Sequence, residues 1–316
     1  MSILYVVVPC YNEQEVLPEA IKRLTKKLGE MIQNEYISAE SKLLFVDDGS
    51  SDATWEILCE NYEANEKVCA IKLSHNQGHQ NALLAGLMSA KESCDCAISI
   101  DADLQDDINV MDEFVEKFRG GCDVVYGVRK KRAKDSFFKR TTAQSFYKFM
   151  KLMGVDIIYN HADYRLMSRT ALEALDEYKE VNLFLRGVVR LLGYKSGIVY
   201  YERSERYAGT SKYPLKKMLH FAVDGITSFS IKPLRLISTM GIIIALMSSM
   251  GILYALISKF FFPTTTISGW TAIVASIWFV GGIQLLCIGV VGEYIGKVYS
   301  EVKKRPHYIV EKDLKK

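Results

Sequence analysis

Two long stretches of this chain contain no charged residue, and they constrain its fold more than any other feature. Leu236–Ser258 and Ile267–Gly292 lack Asp, Glu, Lys and Arg altogether. Each stretch exceeds the roughly 20 residues that an α-helix needs to cross about 30 Å of hydrocarbon. A buried helical hairpin of a soluble protein is the alternative. The sequence therefore predicts two transmembrane helices near the C-terminal end.

Basic residues lie on one side of this predicted hairpin. Lys232 and Arg235 precede the first stretch, and Lys303 and Lys304 follow the second. Because basic loops stay in the cytoplasm, we expect both termini and the large N-terminal domain to be cytosolic. Residues 1–20 lack a basic segment followed by an apolar core, so the sequence predicts no signal peptide.

The composition of the whole chain is that of an ordinary globular protein. Its net charge is +3 over 316 residues, and we expect no nucleic-acid partner. Seven cysteines occur without Cys-x-x-Cys spacing. This pattern favours reduced, packed cysteines over disulfides or a zinc site.

Short β-branched runs alternate with helical patterns through the first 130 residues. The runs are Ile3–Pro9, Lys42–Val46, Val68–Leu73, Cys96–Ile100 and Asp123–Gly127. This alternation predicts an α/β domain with a doubly wound, mostly parallel sheet covered by helices on both faces. No Gly-x-Gly-x-x-Gly follows the first run, which argues against a dinucleotide site.

Polar and acidic residues gather where three of the predicted strands end. The first strand runs into Pro9–Glu13, the second into Asp47–Asp52, and the fourth into Asp101 and Asp103. The carboxyl ends of strands in a doubly wound sheet share one edge, so we expect these segments to converge on one crevice. The pair Asp101 and Asp103 offers hard oxygen ligands to Mg²⁺ or Mn²⁺. A solvated acidic turn is the alternative, and Asp47–Asp52 also fits a turn that caps the next helix.

Two histidines form a weaker candidate for a metal site. His75 and His79 stand four residues apart. The Asn-Gln-Gly between them breaks helical character, so the spacing does not place both rings on one helix face. Metal ligation by this pair is therefore the less favoured interpretation.

Eight motifs follow one another in order along nearly the whole chain: Val8–Glu13, Val46–Asp52, Asn76–Gln80, Asp101–Gln105, Gly127–Arg129, Ala162–Ser168, Arg206–Tyr213 and Gly292–Gly296. With this ordered set the chain resembles family 2 glycosyltransferases of the polyprenyl-phosphate branch. That branch includes bactoprenol glucosyltransferases, which match more closely, and dolichol-phosphate mannose synthases. Two positions depart from the pattern: Asp106–Asn109 replaces a Pro-containing helix start, and Tyr164 replaces a common Phe.

The resemblance implies a GT-A type domain that binds a nucleotide sugar together with Mg²⁺ or Mn²⁺. Metal ligands would be Asp101, Asp103 and Gln105. Catalytic roles would fall to Asp103 and to Asp163, which matches a carboxylate beside the reacting centre. The implied donor-binding residues are Pro9, Tyr11, Glu13, Asp47, Asp48, Asp101, Ala102, Gln105, Arg129, Arg206 and Lys212.

The role of Asp163 stays open at this point. It could orient the acceptor, stabilise a cationic sugar or remove a proton. An ion pair with the neighbouring Arg165 is the structural alternative.

The resemblance also implies a reaction and a location. We expect inverting transfer of a hexose, with glucose as first choice, from a UDP-sugar to undecaprenyl phosphate. The expected place is the cytosolic face of the bacterial cytoplasmic membrane, where the product would serve cell-envelope glycosylation. Alternatives are transfer of N-acetylglucosamine, galactose, or mannose from GDP-mannose. A processive polysaccharide synthase is less favoured, since no Gln-x-x-Arg-Trp motif is present.

The expected domain order starts with a cytosolic catalytic domain, followed by interfacial helices, a transmembrane hairpin and a basic cytosolic tail, at residues 1–211, 212–235, 236–293 and 294–316. The second segment mixes basic and apolar residues, as helices at a membrane surface do. A surface helix packed on the soluble domain is the alternative. Expected partners are the donor, the polyprenyl phosphate and the bilayer, and small residues such as Gly281 and Gly282 are compatible with a homo-oligomer.

Overall fold

The computed structural model describes residues 1–130, 161–180, 185–203, 232–261 and 270–315. These residues fall into two compact units. The first, called the sheet unit, comprises the described residues up to 203 together with those from 304 onward. The second, called the helix-pair unit, holds the long C-terminal helices.

The described part of the sheet unit contains one mixed sheet of eight strands in the order β7-β5-β6-β4-β1-β2-β3-β8. The pairs β1/β2, β1/β4, β2/β3 and β5/β7 are parallel, and the three remaining pairs are antiparallel. The predicted mostly parallel α/β sheet is thus confirmed. The strands are β1 (Leu4–Cys10), β2 (Lys42–Asp47), β3 (Val68–Leu73), β4 (Cys96–Ser99), β5 (Val124–Arg129), β6 (His161–Ser168), β7 (Ser196–Tyr201) and β8 (Val310–Leu314).

Helices connect the strands and cover the sheet. In the sheet unit they are α1 (Leu17–Gln33), α2 (Thr54–Ala64), α3 (His79–Lys91), α4 (Met111–Arg119), α5 (Arg169–Asp176) and α6 (Leu185–Leu191), with a 3-10 turn at Ile108–Val110. Helix α3 lies very close to the sheet: a Cβ on Gly86 would stand 2.3 Å from Val7 Cγ1 and 2.7 Å from Val46 Cγ2. This close packing fixes the first residue of α3, His79, at the carboxyl edge of the parallel strands.

Strand β6 enters the sheet in the opposite direction to β4 and β5, between which it lies. Ser99 pairs with Arg165, so β6 begins at the edge where β4 ends. Asp163 therefore lies at the same edge as the residues that follow β4. The sequence predicted β1 to β5 within two residues, but it did not predict β6, β7 or β8.

Strand β8 returns from the C-terminal helices and pairs antiparallel with the edge strand β3. Ala70 faces Leu314 and Leu73 faces Val310 in this pairing. Part of the segment expected to be a basic tail, residues 294–316, is therefore a strand of the sheet, and another part belongs to the preceding helix.

The helix-pair unit contains α7 (Lys232–Phe261) and α8 (Trp270–Lys303), which have 30 and 34 residues. Within the described residues, Phe279–Lys303 is long and apolar enough to cross a membrane by length and composition. One such stretch does not confirm the predicted pair of spans. Most of the predicted interfacial segment, up to residue 231, lies outside the described residues.

Candidate active site

The segments that follow β1 and β2 are held together by reciprocal hydrogen bonds. The Asn12 amide donates to Ser50 Oγ at 2.9 Å, and the Ser51 amide donates to Asn12 Oδ1 at 2.9 Å. The Glu13 amide donates to Thr54 Oγ1 at 2.9 Å. Two segments more than 30 residues apart in sequence thus form one rigid lip of the crevice, as the shared strand edge predicted.

Asp47 and Asp48 hold the loops that form this lip. Asp48 accepts hydrogen bonds from the Gln77 and Gly78 amides at 2.7 and 2.9 Å, which ties in the loop after β3. Asp47 is fully buried and accepts the Ser50 amide at 3.2 Å. Burial raises the pKa of both carboxyls. Both carboxylates accept hydrogen bonds from backbone amides, which gives them a supporting role in the loops.

Gly49 permits the close approach of these loops. Its φ is +67°, and a Cβ there would stand 2.6 Å from the His75 carbonyl carbon. Both the left-handed backbone and the contact disfavour a side chain at this position. Beside this tight junction, Pro9 is buried within β1 and Tyr11 is 47% exposed.

The metal motif predicted from the sequence directly follows β4. Asp101 and Asp103 are partly exposed, and Ala102 between them is buried. Asp103 Oδ1 accepts the Gln105 amide at 3.1 Å. Leu104 has a φ of +55°, which is uncommon for a residue with a Cβ and is typical of strained functional turns.

Asp101 lies in a group of carboxylates. Burial raises the pKa of the Asp101 carboxyl to about 6. The charge of His79 lowers this pKa, whereas the charges of Asp106, Asp163 and Asp103 raise it further. His79 Nε2 stands 3.6 Å from Asp101 Oδ1. A bound cation would relieve the repulsion among these carboxylates.

Asp163 is the centre of a buried ionic cluster. Its Oδ1 accepts Arg165 Nη2 at 2.5 Å, and Arg186 donates Nε and Nη2 to the two oxygens at 3.1 and 3.0 Å. His79 Nε2 lies 3.5 Å away. Burial alone would raise the pKa of Asp163, but the His79 hydrogen bond and the two arginines hold it well below the usual range. The carboxylate is thus ionised with both oxygens occupied.

Sequence reasoning anticipated only part of this cluster. The Arg165 contact was foreseen as an alternative, whereas Arg186 was not considered, because α6 carries no local motif that links it to Asp163. His79 belongs to the motif Asn76–Gln80, but from the sequence its only predicted role is as a weak metal ligand together with His75. In the structure His79 reaches Asp163, while His75 contacts Ser74 and Gln77.

A second polar cluster follows the metal motif. Gln105 is buried, and its Oε1 accepts a hydrogen bond from Arg203. Arg129, at the end of β5, donates to Asp106 and to the Tyr201 hydroxyl. Arg129 thus lies beside the metal motif, whereas Arg206 and Lys212 lie outside the described residues.

The two departures from the family pattern meet in this region. The Tyr164 hydroxyl donates to the Asp107 carbonyl oxygen at 3.0 Å. The Asp107 side chain accepts the Asn109 amide at 2.9 Å and so caps the 3-10 turn. The loop after the metal motif is therefore held by these two hydrogen bonds.

The carboxylates of the motif suit a divalent ion that a substrate helps to bind. Within the described residues, no three His, Cys, Asp or Glu side chains converge as a complete metal site. Mg²⁺ is usually held by one or two carboxylates plus substrate phosphates. Asp101 and Asp103 fit that arrangement, and the Gln105 oxygen is already engaged by Arg203.

Comparison with known proteins agrees with this geometry. Residues 5–176 match the family described as glycosyl transferase family 2. The chain is 51% identical over 312 residues to the uncharacterized glycosyltransferase YkoT of Bacillus subtilis, covering 99% of this chain and 92% of that protein.

Two further relatives carry a more specific name. The prophage bactoprenol glucosyl transferase homolog of Escherichia coli is 38% identical over 307 residues, with 97% of both chains covered. The SfII prophage-derived bactoprenol glucosyl transferase of Shigella flexneri is 39% identical over 307 residues, covering 97% of this chain and 96% of that one. With a matched domain over more than half of its length and relatives along nearly all of it, the chain belongs to glycosyl transferase family 2 and is a glycosyltransferase with a GT-A type α/β fold.

Proposed function

We propose that this glycosyltransferase moves a hexose, with glucose as first choice, from a UDP-sugar to undecaprenyl phosphate. The observation that carries the proposal is the state of Asp163. Its carboxylate is buried, ionised and bound by Arg165 and Arg186. A carboxylate with a strongly lowered pKa is a poor general base, since an effective base has a pKa near the working pH.

A phosphate acceptor suits such a site. A sugar or lipid hydroxyl must lose a proton as it attacks, whereas a phosphate monoester has a second pKa of about 6 and is largely ionised at neutral pH. The acceptor then brings its own negative charge, and no side chain has to remove a proton. Asp163 is therefore assigned to orienting groups around the reacting centre.

The donor side of the proposal relies on the charge of the leaving group. Departure of the nucleoside diphosphate places negative charge next to Asp101, Asp103 and Arg129. A divalent ion, Mg²⁺ or Mn²⁺, held by the two aspartates would stabilise that charge when bound. Direct displacement with inversion is the consistent route, because the buried Asp163 is tied to two arginines and is not available as a nucleophile.

The names of the relatives support this choice of substrates. Proteins of Escherichia coli and Shigella flexneri that align with nearly the whole chain are named for bactoprenol and for glucosyl transfer. Extending those names to this chain gives a polyprenyl acceptor and a glucose donor.

The return of β8 to the sheet supports a multi-pass topology. Leu73 and Val310 pair in one sheet, so they must lie on the same side of any membrane. The chain between them therefore crosses a membrane an even number of times. If α8 crosses once, a second crossing is required, and α7 has the length for it. We accordingly place the enzyme in the bacterial cytoplasmic membrane, with both termini cytosolic.

The proposal is tested with purified full-length protein, undecaprenyl phosphate and a panel of radiolabelled nucleotide sugars. The panel comprises UDP-glucose, UDP-N-acetylglucosamine, UDP-galactose and GDP-mannose. We expect label from UDP-glucose to enter the organic phase with Mg²⁺ or Mn²⁺ and to stay in water with a chelator. Label from another donor would correct the sugar, and no label from any donor would refute the proposal.

A further inference from the structure

We propose that Asp106 is a positioning residue that holds the Arg129 guanidinium toward the diphosphate of the donor. The hydroxyl of Tyr201 completes this group, which we call the arginine clamp (Asp106, Arg129 and Tyr201). The inference rests on the proposed function, since it assigns the clamp to a nucleoside diphosphate. None of its contacts was expected from the sequence.

The three side chains form a closed ring of hydrogen bonds. Tyr201 donates its hydroxyl to Asp106 Oδ1 at 2.6 Å and accepts from Arg129 Nε at 3.1 Å. Arg129 Nη2 donates to the same Asp106 oxygen at 3.2 Å. Two bonds from different nitrogens fix the plane of the guanidinium as well as its position.

The three residues of the clamp differ in how much of each is exposed. Asp106 is 3% exposed and Tyr201 is 1% exposed, whereas the Arg129 side chain retains 27%. A guanidinium has five N–H donors, and the clamp uses only part of them. The base of the clamp is thus sealed in the protein, and the exposed part of Arg129 lies beside the metal motif, since Asp106 directly follows Gln105.

The clamp explains why a carboxylate is tolerated at the buried position of Asp106. Its second oxygen, Oδ2, is buried and has no hydrogen-bond partner among the described residues. A buried carboxylate persists when an opposite charge compensates for the lost water, and Arg129 provides that charge. Burial, followed by the charge of Asp106, raises the pKa of Tyr201, so its hydroxyl remains a donor at neutral pH.

A second layer of packing supports Tyr201. Its ring meets the Tyr164 ring edge to face at a centroid distance of 5.3 Å. Tyr164 in turn holds the Asp107 carbonyl. The clamp is therefore attached to the loop that carries the metal motif and to the ends of β5 and β7.

Loss of the clamp should weaken recognition of phosphates and spare recognition of the nucleoside. Without Asp106, the long Arg129 side chain samples many rotamers and must be ordered again on binding. A merely structural defect would lower affinity for nucleoside and nucleoside diphosphate alike. The difference between the two ligands is the diagnostic quantity.

The test is calorimetric binding to the purified full-length protein with Mg²⁺, with UDP and uridine as probes and GDP and guanosine in parallel. The variants are Asp106→Asn, Arg129→Ala and their combination. We expect each single variant to bind UDP about tenfold more weakly, as the loss of one charged hydrogen bond implies, with uridine affinity unchanged. The double variant should bind UDP no more weakly than Arg129→Ala alone, since both changes remove one interaction.

The matched control is Asp107→Asn, which removes a neighbouring charge outside the clamp and should leave UDP affinity unchanged. Thermal unfolding verifies folding of each variant, and Tyr201→Phe replaces Asp106→Asn in the same cycle if the latter does not fold. Wild-type-like UDP binding, an equal loss for uridine, or additive effects in the double variant would overturn the clamp. A wild-type protein that binds neither UDP nor GDP would instead count against the proposed function.

Discussion

The two sides of the candidate site are built from different interactions. On the side of β1, β2 and β3, neighbouring loops are joined by hydrogen bonds to backbone amides, as between Asp48 and Gly78. On the side of β4 and β6, ion pairs dominate, with Asp163 between Arg165 and Arg186. The first side fixes the positions of its loops. The second side brings several charges together beside the proposed binding place of the donor diphosphate and the acceptor phosphate.

This difference has an energetic consequence. A single hydrogen bond to a backbone amide contributes about 1 kcal/mol net, so the first side should tolerate the loss of one contact. Removing one partner of a buried ion pair leaves an uncompensated charge and costs more. Variants on the two sides should therefore differ in magnitude and in kind.

The largest effect on the rate of transfer is expected at the metal motif. Asp103→Asn removes one of the two carboxylates that we propose hold the ion, and we expect transfer to fall at least about a hundredfold, as for the loss of a preorganised electrostatic contact. The protein should stay folded and bound to membranes, because Asp103 is partly exposed. Initial rates with radiolabelled donor measure the effect, and wild-type turnover would remove the metal hypothesis.

Asp163→Ala tests the side with the ion pairs by its effect on the free energy of unfolding. It leaves Arg165 and Arg186 without their shared carboxylate, and we expect the free energy of unfolding to fall by about 3 to 5 kcal/mol. The control is Asp176→Ala, which breaks the more exposed pairs with Lys91 and Lys179 and should cost at most about 1 kcal/mol. Denaturant unfolding in detergent, followed by circular dichroism, compares the two. Equal losses would contradict the claim that the buried ion pairs of Asp163 stabilise the protein more than exposed ion pairs do.

Gly49→Ala tests the first side where backbone geometry is the constraint. A methyl group would stand 2.6 Å from the His75 carbonyl carbon at a φ of +67°. We expect a loss of about 1 to 3 kcal/mol in the free energy of unfolding. Gly29→Ala is the matched control, because nothing lies within 4 Å of its added Cβ inside α1, and it should stabilise by up to about 1 kcal/mol. A harmless Gly49→Ala would mean that the loops can separate.

The smallest effect is expected for Tyr164→Phe. It removes one hydrogen bond to the Asp107 carbonyl oxygen while keeping the ring packed on Phe114 and Tyr201. We expect a loss of about 1 kcal/mol, measured by the same unfolding experiment. An unchanged free energy of unfolding would show that this hydrogen bond does not hold the loop after the metal motif.

The sequence predicted the loops after β1, β2 and β4 better than the ion pairs around Asp163. Strands β1 to β5 follow from β-branched runs, and the residues after β1, β2 and β4 follow from the shared edge of parallel strands. Strand β6 contains Asp163 and Arg165 and therefore lacks the apolar run that marks a buried strand. Its charges are tolerated inside the sheet because they pair with each other and with Arg186.

The partners of these charges lie far away in the sequence, which explains why they were not foreseen. Arg186 is 23 positions from Asp163, and Tyr201 is 95 positions from Asp106. Periodicity and local motifs carry no information on contacts made by tertiary packing. Strand β8 was missed for a related reason: it is short, charged and paired with a strand more than 200 residues earlier.

The central claim, that the acceptor brings its own negative charge and does not need Asp163 as a general base, is tested most directly by offering two acceptors. Purified enzyme, labelled donor and divalent ion are incubated in parallel with a polyprenyl phosphate and with the corresponding polyprenol. The account predicts transfer to the phosphate and at least about a hundredfold slower transfer to the alcohol, since general-base help is typically worth 10² to 10⁴ in rate. Comparable rates with both acceptors would contradict it.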